Sequence, residues 1–191
     1  MPFVAIDPLD ARDHDDAIWA EPVEGGGWRI AVAIADVSYY VRPGDAIDRE
    51  AHRRGNSAYF PDRVVPMLPE ALSADACSLK AGTDKAALVC HMSVGPRGAV
   101  TGFRFERARI RLAANIAYEN AQAVIDAQAG DALPLLEPLW GLGARSMPRA
   151  SGANRLTSIC RRSASNWTQT VGWSGFAAAS GSMRTGWSRI S

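Results

Sequence analysis

The chain has 191 residues, 47% of them hydrophobic, and a formal net charge of +1. That length allows one or two domains and one sizeable core, and the absence of any run of about 18 apolar residues excludes a transmembrane helix. Cys77, Cys90 and Cys160 are odd in number and lack C-x-x-C spacing, so neither a disulfide framework nor a zinc site is indicated. Met1-Pro2-Phe3 runs straight into strand-like sequence with no basic leader, so a cytoplasmic location is expected.

The small net charge hides an asymmetry. Every acidic residue lies at or before Glu137, and after Gly141 there are seven arginines but no Asp, Glu or Lys. Fourteen basic against 20 acidic residues leave 1–141 at −6, whereas 142–191 carry +7.

In chain order, Phe3-Val4-Ala5-Ile6 reads as a short buried strand ending at Asp7. Ala17 to Ala20 reads as a second strand and Trp28 to Ala35 as a third, joined through Gly25-Gly26-Gly27 into a hairpin. Pro43-Gly44 breaks the chain, Asp45 caps a helix through Arg54, and Gly55 ends it. Residues 56–72 read as loop, punctuated by Pro61, Pro66 and Pro69. Ala86–Val94 and Val100–Ile110 read as strands around the turn Pro96-Arg97-Gly98, and Ala117–Ala129 has helical periodicity. The expected fold is α+β: a mixed, mainly antiparallel sheet with helices.

The chemistry concentrates in Asp7-Pro8-Leu9-Asp10-Ala11-Arg12-Asp13-His14-Asp15-Asp16, which packs five carboxylates between two apolar runs. Carboxylates this close repel, and one keeps its proton unless a cation intervenes. Hard oxygen ligands suit Mg²⁺ or Ca²⁺, and the glycine and distal glutamate of an EF-hand loop are missing. A solvated acidic turn is the plain alternative, but the apolar flanks draw the loop to the edge of a core. His14, His52 and His91 are scattered and read as surface or satisfied histidines. No G-x-S-x-G, P-loop or G-x-G-x-x-G is present, which argues against a serine hydrolase, a P-loop NTPase and a Rossmann enzyme.

The run from Val4 to Ala17 resembles the signature of the RNB catalytic domain of the ribonuclease II / ribonuclease R family. Further blocks in the same style follow in order: Val32–Val41, Asp48–Ala51, Gly55–Pro61, Val65–Ser73 and Cys77-Ser78-Leu79. They resemble the ribonuclease R branch most. The resemblance implies 3′→5′ hydrolysis of RNA to nucleoside 5′-monophosphates, acting on a single-stranded RNA 3′ end, with no small-molecule cofactor and no membrane. It implies that Asp7, Asp13, Asp15 and Asp16 hold Mg²⁺ for a two-metal type of phosphodiester hydrolysis. Asp15 matches the position tied most closely to the chemical step, Asp10 falls outside the set, and Tyr59 matches a tyrosine that stacks on a base near the 3′ end. The family's catalytic domain continues beyond these blocks into a part carrying an arginine that clamps the scissile phosphate. A catalytically inactive remnant, binding metal or RNA weakly at most, is the alternative.

Residues 1–141 are therefore expected to be the N-terminal half of such a catalytic domain. Residues 142–191 read differently, with ten serines, three tryptophans and no acid. Codons for residues 154–161, read one base earlier, permit the string EPLDLDLP. Those for residues 166–190 permit ELDADGRVVGVRRRERLDAHRLVEDF in the same frame. Both strings resemble a continuation of the family's catalytic domain, so 142–191 is expected to be a frameshifted, unstructured tail.

Overall fold

The computed structural model describes residues 1–146 and 188–189. Nine strands are named among them: β1 (Val4–Asp7), β2 (Asp16–Pro22), β3 (Trp28–Ala35), β4 (Ala58–Tyr59), β5 (Val64–Val65), β6 (Asp84–Val94), β7 (Val100–Arg111), β8 (Ala114–Ala117) and β9 (Ser188–Arg189). Seven of them form one sheet in the order β8-β1-β2-β3-β6-β7-β9, and β4 and β5 form a separate small ribbon. The helices are α1 (Ala46–Arg54), α2 (Tyr118–Ala127) and α3 (Leu133–Ser146). The sheet is mixed but mainly antiparallel, as the sequence pattern predicts; β1 with β8 and β7 with β9 are its parallel pairs.

The β2–β3 hairpin forms in full register from Asp16↔Ile34 to Pro22↔Trp28. Its turn needs glycine at Gly27, where φ is +107° and a Cβ would meet the Val94 carbonyl oxygen at 2.5 Å. Helix α1 begins where its cap predicts, with the Asp45 side chain accepting from the Asp48 N–H, and it ends at Gly55 with φ of +75°. The stretch 56–72, expected to be plain loop, holds the β4–β5 ribbon, and a short wide helical turn at Ala71–Ala76 begins at its end.

Alternation along the strands divides the core into two layers. One face presents Val4, Ile6, Ile18, Ile30 and Val32 to Ala121 and Ile125 of α2 and to Leu136, Leu139 and Leu142 of α3. The opposite face is floored by alanines, including Ala5, Ala17, Ala31, Ala33 and Ala87, and is filled by Phe3, Cys77 and Leu79. Small side chains there let the segment through Leu79 lie close against the sheet, because interiors pack to near-crystalline density.

Helix α3 has no counterpart among the sequence-derived elements. Pro134, Pro138, Gly141 and Gly143 weaken its intrinsic helicity, and Pro138 lies inside it. Tertiary packing overrides this: Leu136, Leu139 and Leu142 recur at helical spacing and all are buried. A Cβ at Gly141 would lie 3.1 Å from the Trp28 ring, so glycine allows the helix to approach the sheet. The helix runs past Gly141, the expected boundary of the tail, to Ser146. Ser188–Arg189 lies beside β7, and the rest of that expectation falls outside the described residues. Val32 is buried beneath the helices, whereas Ile34 and Phe103 are exposed. Among the described residues, no helix is long and apolar enough to cross a membrane.

Candidate active site

Strand β1 ends at Asp7 and β2 begins at Asp16, so both ends of the acidic loop emerge on the same side of the sheet. The two strands pair only at Val4↔Ile18. Between them the chain leaves the ladder, and Asp15 returns to it by accepting from the Ala35 N–H through its carbonyl at 2.8 Å. Residues 11–15 are irregular and not an extended strand. The loop thus places Asp13 and Asp15 by its side contacts rather than by strand alternation.

The carboxylates influence one another electrostatically. Burial raises the Asp16 pKa to about 6, and the neighbouring Asp7 and Asp15 add to the effect. The Asp15 side chain reaches solvent, yet its pKa is also raised, first by the surrounding protein and then by Asp13 and Asp7. His14 Nδ1 lies 2.7 Å from Asp7 Oδ2 and hydrogen-bonds it, so His14 is the satisfied histidine the sequence suggests. The Tyr59 hydroxyl donates to Asp13 Oδ2 at 3.1 Å, while the residue remains 68% exposed. That bond reaches from the β4–β5 ribbon to the acidic loop. Asp10 is exposed at the outer bend.

Asp36, just after β3, provides a contrast. Its buried carboxylate has a cation in place, with Arg107 Nε at 3.1 Å from Oδ2. Among the described residues no lysine or arginine forms an ion pair with Asp7, Asp13, Asp15 or Asp16; the side-chain partner of Asp7 is His14. Also among the described residues, no three His, Cys, Asp or Glu side chains are grouped closely enough to hold a metal ion. The chemistry of the donor set nevertheless suits a hard divalent cation: four carboxylates, with no lysine or arginine paired to them among the described residues, of which Asp15 and Asp16 are raised in pKa by burial and by acidic neighbours.

Sequence reasoning missed the groups that hold the loop. Ser78 is fully buried; its Oγ accepts from the His14 N–H and donates to the Arg12 carbonyl, both at 3.1 Å. The Leu79 N–H donates to the His14 carbonyl at 2.8 Å. The resemblance covers the Cys77-Ser78-Leu79 block, but no local pattern tells that a serine 64 residues away closes on the acidic loop.

Fold and site together describe an acid-centred domain in which a mixed sheet gathers four carboxylates at one end of its strands. The RNB domain model matches residues 1–160, and the chain belongs to that family. Ribonuclease R of Escherichia coli (strain K12) is 52% identical over 118 residues, a match covering 62% of this chain and 14% of that protein. Among solved structures, Mycoplasma genitalium RNase R in complex with ribose methylated single-stranded RNA superposes with a TM-score of 0.80 at 24% identity. That match covers 91% of this chain and 32% of the other. The same enzyme in complex with double-stranded RNA gives a TM-score of 0.71 at 30% identity over 76% of this chain and 26% of the other. The chain therefore spans a minor part of the length of the relatives it matches.

Proposed function

We propose that this chain carries the metal-binding half of a 3′→5′ exoribonuclease active site of the ribonuclease R type, releasing nucleoside 5′-monophosphates from single-stranded RNA. The observation that carries the reading is the contrast at one end of the sheet between Asp36, paired with Arg107, and the acidic loop, whose carboxylates have no lysine or arginine partner among the described residues and whose Asp15 and Asp16 are raised in pKa. Asp7, Asp13, Asp15 and Asp16 would hold Mg²⁺. When bound, Mg²⁺ supplies activation of a water and stabilisation of the leaving 3′ oxygen. Asp15 is the catalytic carboxylate in this reading. Tyr59 offers an exposed ring for the 3′-terminal base, while its hydroxyl bond to Asp13 ties base position to ligand position. Stacking tolerates any base, as a general RNA degrader requires. A cytoplasmic location accompanies this reading.

The test is a time course on 5′-labelled single-stranded RNA with Mg²⁺. Stepwise shortening that Asp15→Asn abolishes supports the enzyme. No shortening by the unaltered chain favours the second reading, a catalytically inactive remnant. That alternative is motivated by the small share of the relatives that the chain spans. In either case we infer that the reading frame changes near Gly141-Leu142, so that 1–141 is the evolved half-domain and the sequence after it is frameshifted, although α3 itself carries on to Ser146. Sequencing the gene decides this: nucleotides that do not spell the family-like strings in the alternate frame refute it.

A further inference from the structure

We propose that Ser78, backed by Asn115, is a positioning residue that fixes the acidic loop so that Asp13 and Asp15 are presented together to a divalent cation. The proposal rests on the metal-binding reading above. Three connections carry it. Asn115 stands in β8, whose partner in the sheet is β1 with Asn115 opposite Ala5. Its side-chain amide donates to the Leu79 carbonyl at 2.9 Å, and its carbonyl oxygen accepts from the Ala81 N–H at 2.7 Å. The segment so anchored places Ser78 Oγ between two backbone groups of the loop, the Arg12 carbonyl and the His14 N–H.

These two groups flank Asp13, and His14 directly precedes Asp15. A hydroxyl that donates on one side and accepts on the other fixes the spacing of the peptide units between them. Its full burial means that water does not replace it when it is removed. The Leu79–His14 backbone bond adds a third tie at the same point. The sheet therefore holds the ligands from both sides. Asp7 and Asp16 are placed by their own strands, Asp13 by a hydrogen-bonded relay from β8, and Asp15 by that relay together with the Ala35 N–H of β3. Groups that orient metal ligands without touching the metal commonly alter affinity by about 10- to 100-fold.

The experiment is a titration of the full chain with Mn²⁺ alone, read by calorimetry, alongside hydrogen exchange of the His14 amide. In Ser78→Ala the Mn²⁺ dissociation constant is expected to rise about 10-fold, with faster exchange at His14 and protected amides in β3. Ile125→Val, in the core on the opposite face, serves as a control: it lowers thermal stability but leaves Mn²⁺ affinity unchanged. Should Ser78→Ala not fold, the exposed Asn115→Ala decides, with a smaller rise in the dissociation constant expected. A folded variant that binds Mn²⁺ as the unaltered chain does overturns the positioning role. If the unaltered chain shows no saturable Mn²⁺ binding sensitive to Asp13→Asn, the metal-binding reading fails and the positioning role falls with it.

Discussion

The two halves of the main sheet are built differently. Around β8, β1 and β2 both faces are covered, by α2 and α3 on one side and by the segment through Leu79 on the other. Around β6 and β7 the helix-side face is largely open: Phe103 is 51% and Ile34 37% exposed, and Phe103 packs edge-on against Phe105. The acidic loop belongs to the closed half. Side chains that must hold a few ångströms of spacing against mutual repulsion need a rigid support. The open half contributes Arg107, which compensates Asp36, and otherwise presents apolar surface of the kind that promotes association.

The largest expected effect breaks the closed half. Leu139→Ala removes a fully buried side chain from α3 and should cost about 2–5 kcal/mol in a denaturant titration. Phe103→Ala in the open half should change stability by no more than about 0.5 kcal/mol and reduce self-association in sedimentation. Equal losses from the two changes would show that the halves are not differently closed.

The next effect concerns charge. Burial, with Asp7 and Asp15, raises the Asp16 pKa from 3.8 to about 6, so the folded state holds this proton more tightly than the unfolded chain. Its stabilising contribution is complete below the unfolded value and disappears as pH rises through the folded value. With a chelator present, the melting temperature should therefore fall by roughly 5 °C between pH 4 and pH 6 on account of this group. Mg²⁺ should reverse the fall at pH 7, and Asp16→Asn should flatten the slope. A chelated protein whose Asp16-dependent stability rises over that interval would contradict the assignment.

Smaller changes are expected at the rim. Tyr59→Ala should weaken binding of single-stranded RNA by about 10-fold, the value of one stacked base, while Tyr59→Phe retains most of it. Loss on both substitutions would assign the effect to the hydroxyl bond with Asp13. Asp10→Asn, at the exposed bend, should alter Mn²⁺ affinity by less than about 2-fold, and a larger change would place Asp10 among the ligands.

Much of this architecture is legible in local sequence. The β2–β3 hairpin, the Asp45-capped helix and the long β6 and β7 strands follow from period, caps and glycine turns, because each is decided by neighbours a few residues apart. Helix α3 is not legible, since its prolines and glycines argue against it and only burial of Leu136, Leu139 and Leu142 sustains it. Strand β8 is missed for a related reason: four residues carry too little pattern, and its parallel pairing with β1 is set across more than 100 residues of chain.

By itself the sequence determined that the acids crowd between two apolar runs, and, through its resemblance, which of them to weigh as ligands and that Asp10 stands apart. Tertiary structure alone decided what surrounds them: His14 on Asp7, Tyr59 on Asp13, and Ser78 between Arg12 and His14, with Arg107 placed instead on Asp36. The reason is physical. Carboxylate crowding is a property of adjacent residues and is written in the chain. The partners that neutralise or anchor those carboxylates come mostly from distant strands and loops, and they meet only when the sheet closes.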